Sequence, residues 1–138
     1  MTVYRLTRKA HADLTGSGGL RAAGRCNRKG TPVIYAAQHV SLALVEALVH
    51  MDLADVPSDY VLMTIDIPDT VPTRRATPEE ALAASGQPPV PVFIVPSVIV
   101  PQEFNIVIYP QAVGFSARIM NVEAFRVDER LPRLGKDR

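Results

Sequence analysis

The chain has 138 residues, 47% hydrophobic and 21% charged, values ordinary for a globular protein and compatible with one domain spanning 1–138. A net charge of +1 excludes a broad basic field for nucleic acid or acidic lipid, and Cys26, the only cysteine, excludes an internal disulfide and suits a reducing compartment. No apolar run approaches the roughly eighteen residues of a bilayer span, and the opening MTVYRLTRKAHADL lacks the apolar core of a signal peptide, so a cytoplasmic protein is expected.

In chain order, TVYRLT alternates as a short strand with Val3, Arg5 and Thr7 on one face. GSGGLRAAGRCNRKG, with five glycines between Gly16 and Gly30, reads as a long loop of the kind that carries function. TPVIYAA, β-branched and aromatic, predicts a strand from about Pro32 to Ala37, and the residues from His39 to Met51 predict the principal helix. YVLMTIDIP alternates as a strand with Val61, Met63, Ile65 and Ile67 on one side. The stretch from Pro68 to Pro91 is proline-rich and holds one short helix, TPEEALAAS, with Thr77 as its cap and Pro78 in its first turn. PVFIVPS and NIVIYP are apolar runs suited to central strands, with IVPQEF as the turn between them. ARIMNVEAFRV predicts a last strand, and the charged tail DERLPRLGKDR is expected to fray. Strands outnumber helices, which gives an α+β fold: a mostly antiparallel sheet with one principal helix packed on it.

Two polar features stand out against this frame. Glu46 lies in an apolar helix, with Leu42, Ala43, Val49 and His50 as its neighbours on the helix surface. It is either a partly exposed glutamate pointing past small alanines or a carboxylate at the floor of a cleft. Arg5 lies mid-strand on the face of Val3, and Arg25 follows Gly24, where backbone can approach a ligand. These arginines either form ion pairs with Asp13, Asp66 or Glu46, or bind an anion such as phosphate.

Other patterns carry little. GSGGLRAAG lacks the GK[ST] ending of a phosphate loop. His39 and His50 share a helix face but are separated by roughly 16 Å of helix rise, too far to share a metal. Ser97 in VPSVI has neither a nucleophile elbow nor a triad order around it. Basic and aromatic residues are too scattered for a nucleic-acid surface.

The ordered blocks YRL, GRCN, GTPVIYAA, SLALVEALVH, DYVLMTIDIP and VPSVIVPQEFN resemble the RES-domain family, named for an arginine, a glutamate and a serine. The resemblance covers about Val3 to Leu131. It implies a fold like that of ADP-ribosyltransferases, and the toxin of a toxin–antitoxin pair that degrades cellular NAD⁺. By that resemblance Arg25, Glu46 and Ser97 are the catalytic residues, and Arg5, Tyr35 and Asn105 bind the dinucleotide. NAD⁺ is then the substrate, with no prosthetic group or metal. The implied partner is an Xre-family antitoxin, and apolar strands such as VFIVP would suit a homodimer or a toxin–antitoxin hetero-oligomer. Water as acceptor implies a glycohydrolase, phosphate a phosphorylase, and a protein side chain an ADP-ribosyltransferase; a binding domain without turnover is the non-enzymatic alternative. The sequence departs from the family pattern at Cys26, where the family has tryptophan, and in the proline-rich segment before VPS.

Overall fold

The computed structural model describes residues 1–131. Seven strands, β1 (Thr2–Arg8), β2 (Ile34–Ala37), β3 (Tyr60–Asp66), β4 (Thr73–Arg75), β5 (Val92–Pro96), β6 (Phe104–Ile108) and β7 (Arg118–Ala124), form one sheet in the order β4-β5-β6-β2-β1-β3-β7. Three α-helices accompany it among the described residues: α1 (Gly18–Arg21), α2 (Val40–Val49) and α3 (Pro78–Ala84).

The α+β expectation holds, but the sheet is mixed rather than mostly antiparallel. β4 runs parallel to β5, from Thr73↔Val92 to Arg75↔Ile94, because α3 carries the chain between them as a crossover. β4 itself was not expected: three exposed residues in a proline-rich segment show no alternation to read. Within the expected glycine loop, Gly18–Arg21 close one helical turn, α1. α3 has the cap expected for it. Thr77 Oγ1 accepts from Glu80 N–H at 3.1 Å, and Glu80 Oε1 accepts from Thr77 N–H at 2.9 Å.

Register assigns the two faces. One carries Val3, Ile34, Met63, Ile65, Ile106 and Ile108, all essentially without exposure, and this is the main core. The other face holds the helices. α2 lays Leu42 and Ala43 over Ala37, Tyr4 and Leu6 of β2 and β1. α3 sets Ala81 against Phe93 and Tyr109, whose rings meet edge-to-face with centroids 5.7 Å apart. VFIVP is β5, an interior strand with Val92, Phe93 and Val95 buried, so it offers no surface to a partner.

The sheet has one weak seam. β1 pairs with β3 along its whole length, Thr2↔Asp66 to Arg8↔Tyr60, but meets β2 only at Tyr4↔Ala37. The sheet therefore parts beyond that point, and the parting opens towards α2. The tail expected to fray lies, from residue 132 onward, outside the described residues. No helix among the described residues is long and apolar enough to cross a membrane.

Candidate functional site

A cavity of about 320 Å³ lies where the sheet parts, between α2, the β5–β6 turn and the loop before β2. Its wall includes Arg5, Arg25, Tyr35, Glu46 and Asn105, five of the six residues that the resemblance singles out. The sixth, Ser97, stands just behind the wall.

Glu46 is not fully exposed, and it has no ion pair among the described residues. It is half-buried on the inner side of α2, the cleft reading of the two that its sequence surroundings allowed. Its Oε1 accepts from Ser97 Oγ at 2.7 Å and from Asn105 Nδ2 at 2.9 Å. These partners come from the end of β5 and from β6, 51 and 59 residues along the chain. Ser97 is 2% exposed, and its hydroxyl also accepts from the N–H groups of Ile99 and Val100 at 3.1 and 3.0 Å. One proton given and two received fill its capacity. The hydroxyl therefore holds the carboxylate and the turn together, and it is no free nucleophile. Asn105 keeps one group in reserve: its Oδ1 is buried and has no partner among the described residues.

Arg5 is placed by the seam. Where β2 no longer pairs with β1, its Nη1 donates to the Tyr35 carbonyl at 3.3 Å, standing in for the missing backbone donor. Its Nε is buried without a partner among the described residues. Burial pushes its guanidinium below the usual arginine range, against the opposing field of Asp13. A buried donor without an acceptor costs about 1–3 kcal/mol, so the cavity offers an unmet demand for an anion or carbonyl. No ion pair among the described residues involves Arg5, Arg25 or Glu46, which removes the salt-bridge reading of the arginines.

Arg25 is exposed, on a tight reversal closed by a bridge between Gly24 and Asn27. Tyr35 builds that reversal. Its hydroxyl donates to Asn27 Oδ1 at 2.5 Å and accepts from Cys26 N–H at 3.1 Å, while its ring faces the cleft. Asn27, 1% exposed, donates to the carbonyls of Ala22 and Arg28. Tyr109, from beyond β6, donates to the Cys26 carbonyl at 2.6 Å. A Cβ on Gly24 would stand 2.6 Å from the Tyr35 hydroxyl and 2.7 Å from Asn27 Oδ1, so a larger residue there would have to displace that hydrogen-bonded pair. Burial pushes the Tyr35 phenol up to about 12 and the Cys26 thiol up to about 11, so both stay protonated at neutral pH. Asn27 and Tyr109 were missed as site residues; the asparagine inside GRCN was the available signal, whereas nothing near Tyr109 in sequence points to the loop.

Residues 2–89 match a family described as "RES domain". The chain is 33% identical to "Toxin Res" of Photorhabdus laumondii over 99% of its own length and 100% of that protein. It is 33% identical to "Toxin Res" of Pseudomonas putida, covering 95% of the chain and 99% of the relative. It is 32% identical to the "Prs ADP-ribosylating toxin" of a Sphingobium species, covering 77% and 80%. Among solved structures, the crystal structure of the M. tuberculosis MbcT–MbcA toxin–antitoxin complex has a chain of like fold. The TM-score is 0.66 at 21% identity, covering 99% of this chain and 87% of that one. Ser97 and Asn105 lie beyond the matched family segment but within the span shared with the Photorhabdus protein.

Proposed function

The chain belongs to the RES domain family, and from that premise we propose that it is the toxin of a toxin–antitoxin pair and cleaves the nicotinamide–ribose bond of NAD⁺. One observation carries the reading: a carboxylate fixed by two donors on the same oxygen, in a cleft that also holds two arginines without ion pairs among the described residues.

Nicotinamide leaves as a neutral base, taking the electron pair of the bond to the anomeric carbon, so no general acid is required. What the site must supply is negative charge beside the carbon that becomes positive, held in place before the reaction begins. Glu46 is suited to this, because Ser97 and Asn105 remove its freedom to turn away. Arg25 at the mouth and Arg5 in the seam suit the pyrophosphate or an attacking anion. The Tyr35 ring offers a face for the nicotinamide or ribose. Asn105 Oδ1 can accept a hydrogen bond from the substrate. Water completes a glycohydrolase and yields ADP-ribose and a proton; phosphate completes a phosphorylase. NAD⁺ enters as substrate, and no prosthetic group is invoked.

The name of the Sphingobium relative favours a second reading, transfer of ADP-ribose to a protein side chain, which uses the same Glu46 and changes only the acceptor. The cytoplasm, a fold related to the ADP-ribosyltransferases and a single domain with its core at about 3–131 belong to this proposal. So does an Xre-family antitoxin that covers the cleft, whose mouth exposes Val49, Val98 and Ile99.

The test is incubation of purified protein with NAD⁺, with and without phosphate, following nicotinamide, ADP-ribose and its phosphate by chromatography, beside a lysate probed for ADP-ribosylated protein. Nicotinamide release without protein modification supports NAD⁺ degradation, and modified protein alone moves the assignment to the transferase. Intact NAD⁺ in every arm would overturn the enzyme reading.

A further inference from the structure

Tyr109 is the largest of the fully buried side chains among the described residues, and it does not line the cleft. It follows β6 directly, and its backbone is held on both sides. Its N–H donates to the Pro91 carbonyl at 2.7 Å, and its carbonyl accepts from Ala112 N–H at 3.0 Å. The ring packs edge-to-face on Phe93 of β5, in a buried cluster that includes Cys26 and Ala81. Such burial suits a ring, but it costs free energy for a hydroxyl unless acceptors meet it.

Two acceptors do. The hydroxyl has one proton to give and faces two carbonyls, that of Cys26 at 2.6 Å and that of Ala81 at 3.2 Å, 83 and 28 residues away in the chain. Phenylalanine would fill the same space, so packing alone does not account for the hydroxyl. Ala81 is among the last four residues of α3, whose carbonyls a helix leaves short of donors. Cys26 belongs to the reversal closed by the Gly24–Asn27 bridge, next to Arg25. One hydroxyl therefore ties that reversal to α3, which contributes Pro78 to the cleft wall. Cys26 is gripped at both ends of its backbone, its N–H by the Tyr35 hydroxyl and its carbonyl by that of Tyr109. The Arg25 side chain has no ion pair among the described residues, so the held backbone sets where it starts. Burial pushes the Tyr109 phenol well above the usual tyrosine range, so it remains a donor at neutral pH.

We propose that Tyr109 is a positioning residue for anion capture: through the Cys26 carbonyl, its hydroxyl fixes the backbone from which Arg25 reaches the pyrophosphate of the substrate. The inference rests on the pyrophosphate role given to Arg25, and it holds whichever acceptor completes the reaction.

Tyr109→Phe keeps the ring and removes the hydroxyl alone, with circular dichroism to confirm folding. Calorimetry with ADP-ribose, which carries the pyrophosphate but no nicotinamide bond to break, reads the contact directly. In Tyr109→Phe, Kd for ADP-ribose and KM for NAD⁺ are each expected to rise about fivefold, while kcat stays within about twofold. In an Arg25→Ala background the same substitution should move Kd by less than about twofold, because its effect passes through that arginine. Ser85→Ala is the control for lost stability. It removes another buried hydroxyl, bonded to the Leu82 carbonyl of α3 at 2.8 Å, and should lower the melting temperature without moving Kd. An unmoved Kd in folded Tyr109→Phe overturns the proposal, as does an equal rise in Ser85→Ala or a full rise in the Arg25→Ala background. A wild-type chain that binds no ADP-ribose overturns it too. Weakened ADP-ribose binding in Tyr109→Phe, beside NAD⁺ left intact by the wild type, would sink the enzyme reading while the positioning role stands.

Discussion

The two polar walls of the cleft are held in different ways. On one, Glu46 projects from a ten-residue helix, and one of its oxygens is fixed by a buried hydroxyl and an amide from two strand segments. On the other, Arg25 projects freely from a four-residue reversal, and only the backbone around it is fixed, by Tyr35, Asn27 and Tyr109. A group that must face developing charge gains from being immobile before the reaction, because reorientation during it would add to the barrier. A group that catches an anion at the mouth gains from reach, and a long cation on a fixed loop provides it. The carboxylate wall is fixed out to a side-chain oxygen, the arginine wall only to its backbone.

Substitutions can break this contrast in order of effect. Glu46→Gln removes the charge but keeps the shape, and it should lower kcat for NAD⁺ cleavage by about 10²–10³-fold with little change in KM. Full activity in that variant would remove Glu46 from the role assigned to it. Ser97→Ala leaves the carboxylate in place but frees it to turn and strands the Ile99 and Val100 N–H groups. Expected losses are about 10-fold or more in kcat and about 1–3 kcal/mol in unfolding free energy. If denaturation shows the stability loss while kcat is unmoved, the serine serves the turn alone. Arg25→Ala should act oppositely: KM rises about tenfold while the melting temperature stays within about a degree, because the side chain is exposed and makes no hydrogen bond among the described residues.

The smallest effect is on pH dependence. Cys26 and Tyr35 release their protons in the unfolded chain near 9 and 10, but in the folded protein only near 11 and 12. Between those values the unfolded state binds fewer protons than the folded one, so stability falls as pH rises. It is whole below about pH 9 and declines through 11, as a drop of a few degrees in melting temperature. Cys26→Ala should flatten the first part of that decline, and an unchanged profile in the variant would show that the thiol is not held protonated.

Much of the fold was legible because periodicity is local. YVLMTIDIP alternates and is β3, and the Thr77–Pro78–Glu80 capping pattern starts α3 where expected. β4 was invisible because TRR has no apolar face to read; only its neighbour β5 makes it a strand. At the site, the residue types and their order carried the resemblance, yet Glu46 could not be told from a solvated helical glutamate, nor Arg25 from an ion-paired one. Those choices depend on what stands opposite, which the α2 pattern does not contain. Ser97 gave no nucleophile signal in sequence, and its saturated hydrogen bonds explain why none was needed.

By itself, then, the amino-acid order determined the elements that repeat with their own period, the helix cap, the family, and the set of groups able to act. The tertiary structure alone decided that β1 parts from β2 after a single pairing, that Ser97 and Asn105 converge on one oxygen of Glu46, and that β7 passes over Met120 in its pairing with β3. The reason is physical: propensity and amphipathicity act over a few residues, whereas register between distant strands is set by packing across the whole sheet.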